Sequence, residues 1–184
     1  MSNPQENERR DTFRMELDAY LTIAKKQQLE SQPIDYFRDL EALALTSEFD
    51  AVKQEIGQVS ERIKDLAAKK SIELLSSQLD ILSKLQTNQI LTEQSLITQK
   101  ISISEGGCAA TLSNKVNTGD VVALAIVFTP SYFSLFVFAE VITITPVQNR
   151  FKVHFKFVEL TERQKQTLLK HMFQAQTDAK KSIS

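Results

Sequence analysis

The sequence predicts an α+β chain: N-terminal helices with one long coiled-coil helix, then a small antiparallel β-barrel and a C-terminal helix. Three observations carry this. The first hundred residues are rich in Gln, Glu, Lys and Leu and hold a single glycine, Gly57. The next sixty hold most of the phenylalanines, with turn signals at regular intervals. The last twenty or so return to helical spacing.

The chain has 184 residues and 42% hydrophobic content, enough for one real core. A net charge of -1 gives no global field to attract nucleic acid or an acidic membrane, so neither is expected as a partner. Cys108 is the lone cysteine, which excludes an intramolecular disulfide and suits a reducing cytoplasm. The charged start MSNPQENERRD has no apolar core and is not a signal peptide. The apolar runs VVALAIVF and LFVFA fall far short of the ~20 residues of a membrane span.

Residues 1–10 are expected to form a disordered tail. Phe13, Leu17 and Leu21 are spaced four apart, which predicts an amphipathic helix over residues 11–26. Ser-Gln-Pro at 31–33 interrupts it, and Asp35 caps a second short helix that buries Tyr36, Phe37, Leu40 and Leu43. Short helices thus fill residues 11–45. Ser47 with Asp50 resembles a capping pair for a third helix over 46–96.

From Gly57 to Lys100 there is neither glycine nor proline, and nothing stops that third helix. Roughly 45 residues at ~1.5 Å each span about 68 Å, more than a small barrel can cover. Val52, Ile56, Val59, Ile63 and Leu66 follow coiled-coil spacing; the heptad then fails at Lys70 and Glu73, and Leu75, Leu79 and Leu82 resume it in a new phase. Val52, Ile63, Leu74, Leu85 and Leu96 also lie eleven apart. The wide apolar face around Leu74 and Leu85 suits three or four helices, which predicts a homo-oligomer, most simply a tetramer. The competing arrangement is a monomer whose helix folds back on its N-terminal neighbours.

The barrel is expected over 97–178, with residues 179–184 a second tail. A strand over 100–104 leads into Gly-Gly, and strands over 121–128, 133–145 and 150–160 follow the turns NTGD, TPSY and PVQN. The last strand alternates: Phe151, Val153, Phe155 and Phe157 face inward, and Arg150, Lys152, His154 and Lys156 form a possible anion-binding face outside. Phe136 and Phe138 are expected to pack under the closing helix. Thr161 caps that helix, with Leu168, Leu169, Met172 and Phe173 on its buried side.

Catalytic chemistry has nothing to stand on. His154, His171 and Cys108 show no metal-ligand spacing, no phosphate loop or dinucleotide-binding glycine pattern occurs, and Cys108 reads as a small buried residue. No enzyme activity, metal or cofactor is expected.

The β half resembles the PilZ domain family. The strand into S-x-S-x-x-G (Ser102, Ser104, Gly107), the N-x-G-D turn, the strand ending FKFVEL and the helix RQKQTLLKHMFQAQ carry the resemblance. Family members that bind cyclic di-GMP carry R-x-x-x-R before the barrel and [D/N]-x-S-x-x-G after it. Here Ser102 stands at the Asp or Asn position, and no arginine occurs between Arg62 and Arg150. A formal R-x-x-x-R exists at Arg10 and Arg14, some ninety residues upstream and ahead of three expected helices. On that basis the ligand motif is degenerate and cyclic di-GMP is not expected to bind. The long helix is similar to that of an atypical branch in xanthomonad bacteria that assembles as a tetramer. The resemblance implies a non-enzymatic interaction protein in type IV pilus function, motility or virulence, with a protein partner whose identity is open. The alternative is a cyclic di-GMP sensor with a rebuilt site.

Overall fold

The computed structural model describes residues 13–26 and 32–181, leaving aside the side chains at 44–48, 50, 51 and 54. Six strands close into an antiparallel barrel in the order β1-β2-β3-β6-β5-β4. They are β1 (Arg14–Lys25), β2 (Thr98–Ser104), β3 (Gly107–Leu112), β4 (Val121–Phe128), β5 (Ser134–Val147) and β6 (Arg150–Val158). Two 3-10 turns, Pro33–Tyr36 and Arg38–Leu40, and two helices, α1 (Glu41–Ser60) and α2 (Leu66–Glu93), lie between β1 and β2; α3 (Glu162–Lys181) ends the described chain.

A closed antiparallel barrel, a long helix and a closing helix are present as expected; the bounds of the long helix and the start of the chain are not. Residues 14–25 form a strand rather than a helix, so the barrel begins there and not at 97. A spacing of four is close to one helical turn and is also two strand periods. The intervening residues decide: Met15, Ala19 and Ile23 join Phe13, Leu17 and Leu21 in the core cluster, while Arg14, Glu16 and Asp18 are exposed. β1 pairs with β2 from Arg14↔Ser104 to Tyr20↔Thr98, and with β4 from Ala19↔Phe128 to Lys25↔Val122. It supplies the seam that closes the barrel. The tail expected over 1–10 lies outside the described residues, whereas 179–181 belong to α3.

β4 is buried on both faces, which explains its unbroken apolar run. Val122, Leu124, Ile126 and Phe128 fill the barrel. Ala123, Ala125 and Val127 face outward, where Phe37, Leu40, Leu43 and Leu91 cover them as a second core. Phe136 and Phe138 belong to this cover: Phe37 lies 6.2 Å from the Phe136 ring and Tyr36 meets Phe138 edge-on at 5.8 Å. They pack under the segment after β1 rather than under the closing helix, because β5 presents them beside the outward alanines of β4.

The helical rod is also interrupted. Ser60 Oγ donates to the Gly57 carbonyl at 2.8 Å, and α1 ends there. Five residues later the Asp65 carboxylate accepts from the Ala67 and Ala68 amides at 2.8 and 3.1 Å, capping α2. A single helix over 46–96 is therefore replaced by a hairpin whose longer arm, 28 residues, spans about 42 Å. Ser47 and Asp50 lie inside α1 and start no helix. Lys53 Nζ meets the Asp80 carboxylate at 2.8 Å across the hairpin, with Lys84 on the other oxygen at 3.1 Å. Burial raises the Asp80 carboxyl, and these two ammonium groups more than offset it.

α3 plugs one end of the barrel with Leu168 and Met172. The Thr161 cap is formed reciprocally: the Gln164 amide donates to Thr161 Oγ1 at 3.2 Å, and the Thr161 amide donates to Gln164 Oε1 at 3.0 Å. Leu169 is half-buried and Phe173 is 54% exposed, so the buried stripe is narrower than expected. His171 packs beside the stacked rings of Phe128 and Phe133, 5.0 and 5.4 Å from their centroids, and its buried Nε2 has no hydrogen-bond partner among the described residues. Burial pushes its pKa down to about 4.

Two predictions follow from this packing. The unfolded chain binds a proton at His171 near pH 6.5 and the folded chain only near 4, so stability is full above 6.5 and falls as pH drops toward 4. Denaturant melts of His171→Phe against wild type should show this loss reduced by on the order of 3 kcal/mol. A Cβ at Gly107 would run into the Phe155 carbonyl oxygen, whereas nothing lies near one at Gly106. Gly107→Ala should therefore cost about 1–3 kcal/mol and Gly106→Ala well under 1 kcal/mol in the same assay.

Candidate functional site

The expected ligand motif lies on the β2–β3 hairpin. Ile101 and Ile103 point into the barrel, which turns Ser102 and Ser104 to the outer face. Ser104 Oγ donates to the Gly107 carbonyl at 3.1 Å, holding the tight turn at 105–106. Gly107 lies in register with Lys156 of β6, and its lack of a side chain lets β3 approach the β6 backbone.

The register of β1 changes the meaning of this loop. Arg14 is the cross-strand partner of Ser104. The residue before it, Phe13, stacks on Phe173 of α3 at 5.6 Å and 12°, anchoring the start of β1 to the closing helix. The arginine set aside as ninety residues upstream is one strand away from the motif. Arg10, the other half of R-x-x-x-R, lies outside the described residues.

Arg14, Ser102, Ser104, Gly106, Gly107, His154 and Lys156 line one pocket of about 510 Å³, with Ile142 and Thr143 of β5 at its rim. The expected anion face is therefore divided. His154 and Lys156 belong to the pocket, whereas Lys152 pairs with Thr111 and Arg150 with Val147, both outside it. Burial first, then the charges of Lys152 and Arg14, holds the His154 imidazole below its ordinary pKa. The side walls carry Arg14 on one side and Lys156 on the other, an arrangement suited to an anion or a polar planar ring.

Cys108 takes no part in this chemistry. It points into the barrel core, fully buried, which pushes its thiol up to about 12. His154 is on the opposite face of the barrel wall. Among the described residues no group of three or more His, Cys, Asp or Glu side chains is placed to hold a metal. No helix among them is long and apolar enough to cross a membrane.

The helical residues form a second surface. Val52, Ile56, Val59 and Ile63 face Leu75 and Leu79 across the hairpin, lining a groove of about 520 Å³. Leu74, Ile81 and Leu85 occupy a different arc of α2, each more than half exposed, and Leu66 and Leu82 are exposed as well. Folding back on α1 has not buried the stripe. Large contiguous apolar faces of this kind are uncommon on monomers.

A thiol-reactive probe added to the folded protein at pH 8 should leave Cys108 unlabelled, and should label it once the chain is unfolded in guanidinium. Rapid labelling of the native protein would contradict the placement of Cys108 in the core.

Comparison with known proteins bears on the fold. The PilZ domain family profile matches residues 84–174. The match covers the end of α2, five strands and most of α3, and omits β1. No curated protein sequence matches the chain. Among solved structures, a pathogenic protein from Xanthomonas campestris, described as a tetrameric PilZ domain self-assembled via an unusual helical bundle, aligns over 95% of this chain and 90% of its own, with a TM-score of 0.57 and 18% identity. YcgR from Escherichia coli in complex with c-di-GMP aligns over 48% of this chain and 40% of its own, with a TM-score of 0.41 and 16% identity. The Bacillus subtilis inhibitor of motility aligns over 46% and 44%, with a TM-score of 0.37 and 23% identity. Residues 84–174 of this chain are thus a PilZ domain.

Proposed function

We propose that the chain is a non-enzymatic, self-assembling PilZ regulator whose barrel pocket binds cyclic di-GMP. The observation that carries the ligand is the register pair Arg14↔Ser104. The expectation of no binding rested on two grounds, the arginines being remote from S-x-S-x-x-G and Ser102 standing at the Asp or Asn position; the path of β1 bears on the first. Arg14 supplies a planar, permanently charged fork to a phosphate or a guanine face. Ser104 and Gly107 keep the hairpin shape against which the ligand lies. Arg10, four residues earlier, completes the family's spacing in sequence.

A second reading, a scaffold that has lost the ligand, draws on one observation: Ser102 stands where binding relatives place an Asp or Asn. Titration calorimetry on the full chain separates the two. Cyclic di-GMP should bind with micromolar or tighter affinity, and Arg14→Ala should weaken it by roughly 10- to 150-fold for each charge-assisted bond lost. No heat from the wild type would favour the scaffold.

Assembly is supported by the leucine face of α2, where covering the exposed half of each Leu or Ile side chain is worth roughly 1 kcal/mol. A tetramer, the assembly described for the similar Xanthomonas protein, is the proposed state. Light scattering should report about four chains for the wild type. Leu74→Glu with Leu85→Glu should give the 20.8 kDa mass of one chain with its circular dichroism unchanged. A wild-type mass of one chain would contradict assembly. The setting we propose, cytoplasmic and tied to type IV pilus function, motility or virulence through a protein partner, would be lost if deletion in the host left all three unaltered.

A further inference from the structure

We propose that His154 and Lys156 read the acceptor edge of a guanine base, so that recognition of the purine is carried by β6. The inference rests on the reading of the pocket as a cyclic dinucleotide site.

The strand register arranges the pocket in two rows. One runs Arg14, Ser104, Gly107, Lys156; the next, one pleat away, runs Ser102, Ala109, His154, Thr143. Between Arg14 and Lys156 stand only a serine and a glycine, and between Ser102 and His154 only an alanine. The floor is therefore nearly free of side chains, and the tall groups stand at its edges. A planar base lying on such a floor meets β6 edge-on.

His154 and Lys156 are two positions apart on one face of β6, about 7 Å along the strand, so their side chains can converge on one base. With its pKa held down, the imidazole is uncharged near neutral pH and keeps one N–H donor. Lysine brings an ammonium with three donors. The Hoogsteen edge of guanine presents two acceptors, N7 and O6, whereas adenine replaces the second with an amino donor. Two neighbouring donors therefore fit guanine and reject adenine.

A second feature of the wall points the same way. The β5–β6 ladder shifts register between Val141 and Thr143, leaving Ile142 as an extra residue beside the His154 pair, at the pocket rim. Bulges of this kind recur next to binding sites, where they re-aim side chains. The hydroxyl of Ser102 replaces the stronger acceptor of binding relatives, and donors on β6 offer guanine recognition from a different edge.

The experiment titrates the full-length chain with cyclic di-GMP and with cyclic di-AMP, comparing wild type, Arg14→Ala, His154→Ala, Lys156→Ala and the His154→Ala/Lys156→Ala double variant. Wild type should prefer cyclic di-GMP by about 100-fold or more. Each β6 substitution should weaken cyclic di-GMP about 10-fold with little change for cyclic di-AMP, and the double variant should lose most of the preference. Arg14→Ala should weaken both ligands alike. Melting curves confirm that each variant is folded, and Lys156→Arg, which keeps the donors, should retain the preference. A double variant that keeps its guanine preference, while Arg14→Ala loses both ligands, overturns this inference and leaves the pocket reading standing. Failure of the wild type to bind either dinucleotide overturns both.

Discussion

Everything in this molecule depends on β1 closing the barrel between β2 and β4. Without it, both neighbours would present unpaired backbone edges, and edges of that kind template aggregation. With it, the inward faces of six strands share one interior, and α3 closes an end. The same strand delivers Arg14 to Ser104, so barrel closure and pocket assembly are one event. Under the proposed function, ligand affinity and fold stability would be linked, since a ligand gripping Arg14 would also hold β1 in its seam.

The helical hairpin is an excursion from this barrel. The chain leaves β1 after Lys25 and re-enters at Thr98, itself paired with Tyr20 of β1. Phe37, Leu40 and Leu43 on the way out and Leu91 on the way back cover the outer faces of β4 and β5. The root of the excursion is thus part of a second core, and its far end carries the exposed leucine stripe. In the proposed assembly, such a division would let the hairpin gather several barrels while each pocket, on the outer face of β2, β3 and β6, stays clear of it. Repeated pockets on one body would then give a partner that recognises the ligand-bound form the gain of multivalency.

Much of this was legible in the residues. Strands β2, β4, β5 and β6, the outward row from Arg150 to Lys156 and the Thr161 cap follow from alternation and turn chemistry alone, whereas β3, the small-residue run Gly-Cys-Ala-Ala-Thr-Leu, carries neither signal. β1 was not, because Phe13, Leu17 and Leu21 satisfy a helix and a strand equally, and only Met15, Ala19 and Ile23 separate the two. The break between α1 and α2 contains neither proline nor a terminal glycine; its signal is Asp65 ahead of Leu-Ala-Ala, a cap inside a run of good helix formers. The site was obscured for a different reason. Distance along the chain stood in for distance in space, and the inserted hairpin makes the two disagree by some ninety residues.

The most direct test of this account is a set of cross-strand nuclear Overhauser contacts in the labelled protein. The account predicts contacts pairing Met15 with Ile103, Leu17 with Ile101 and Leu21 with Ile126, in the order set by the register. Contacts three and four residues apart within 14–25, with none to β2 or β4, would mean that this segment is a helix, that Arg14 is remote from Ser104, and that the account is wrong.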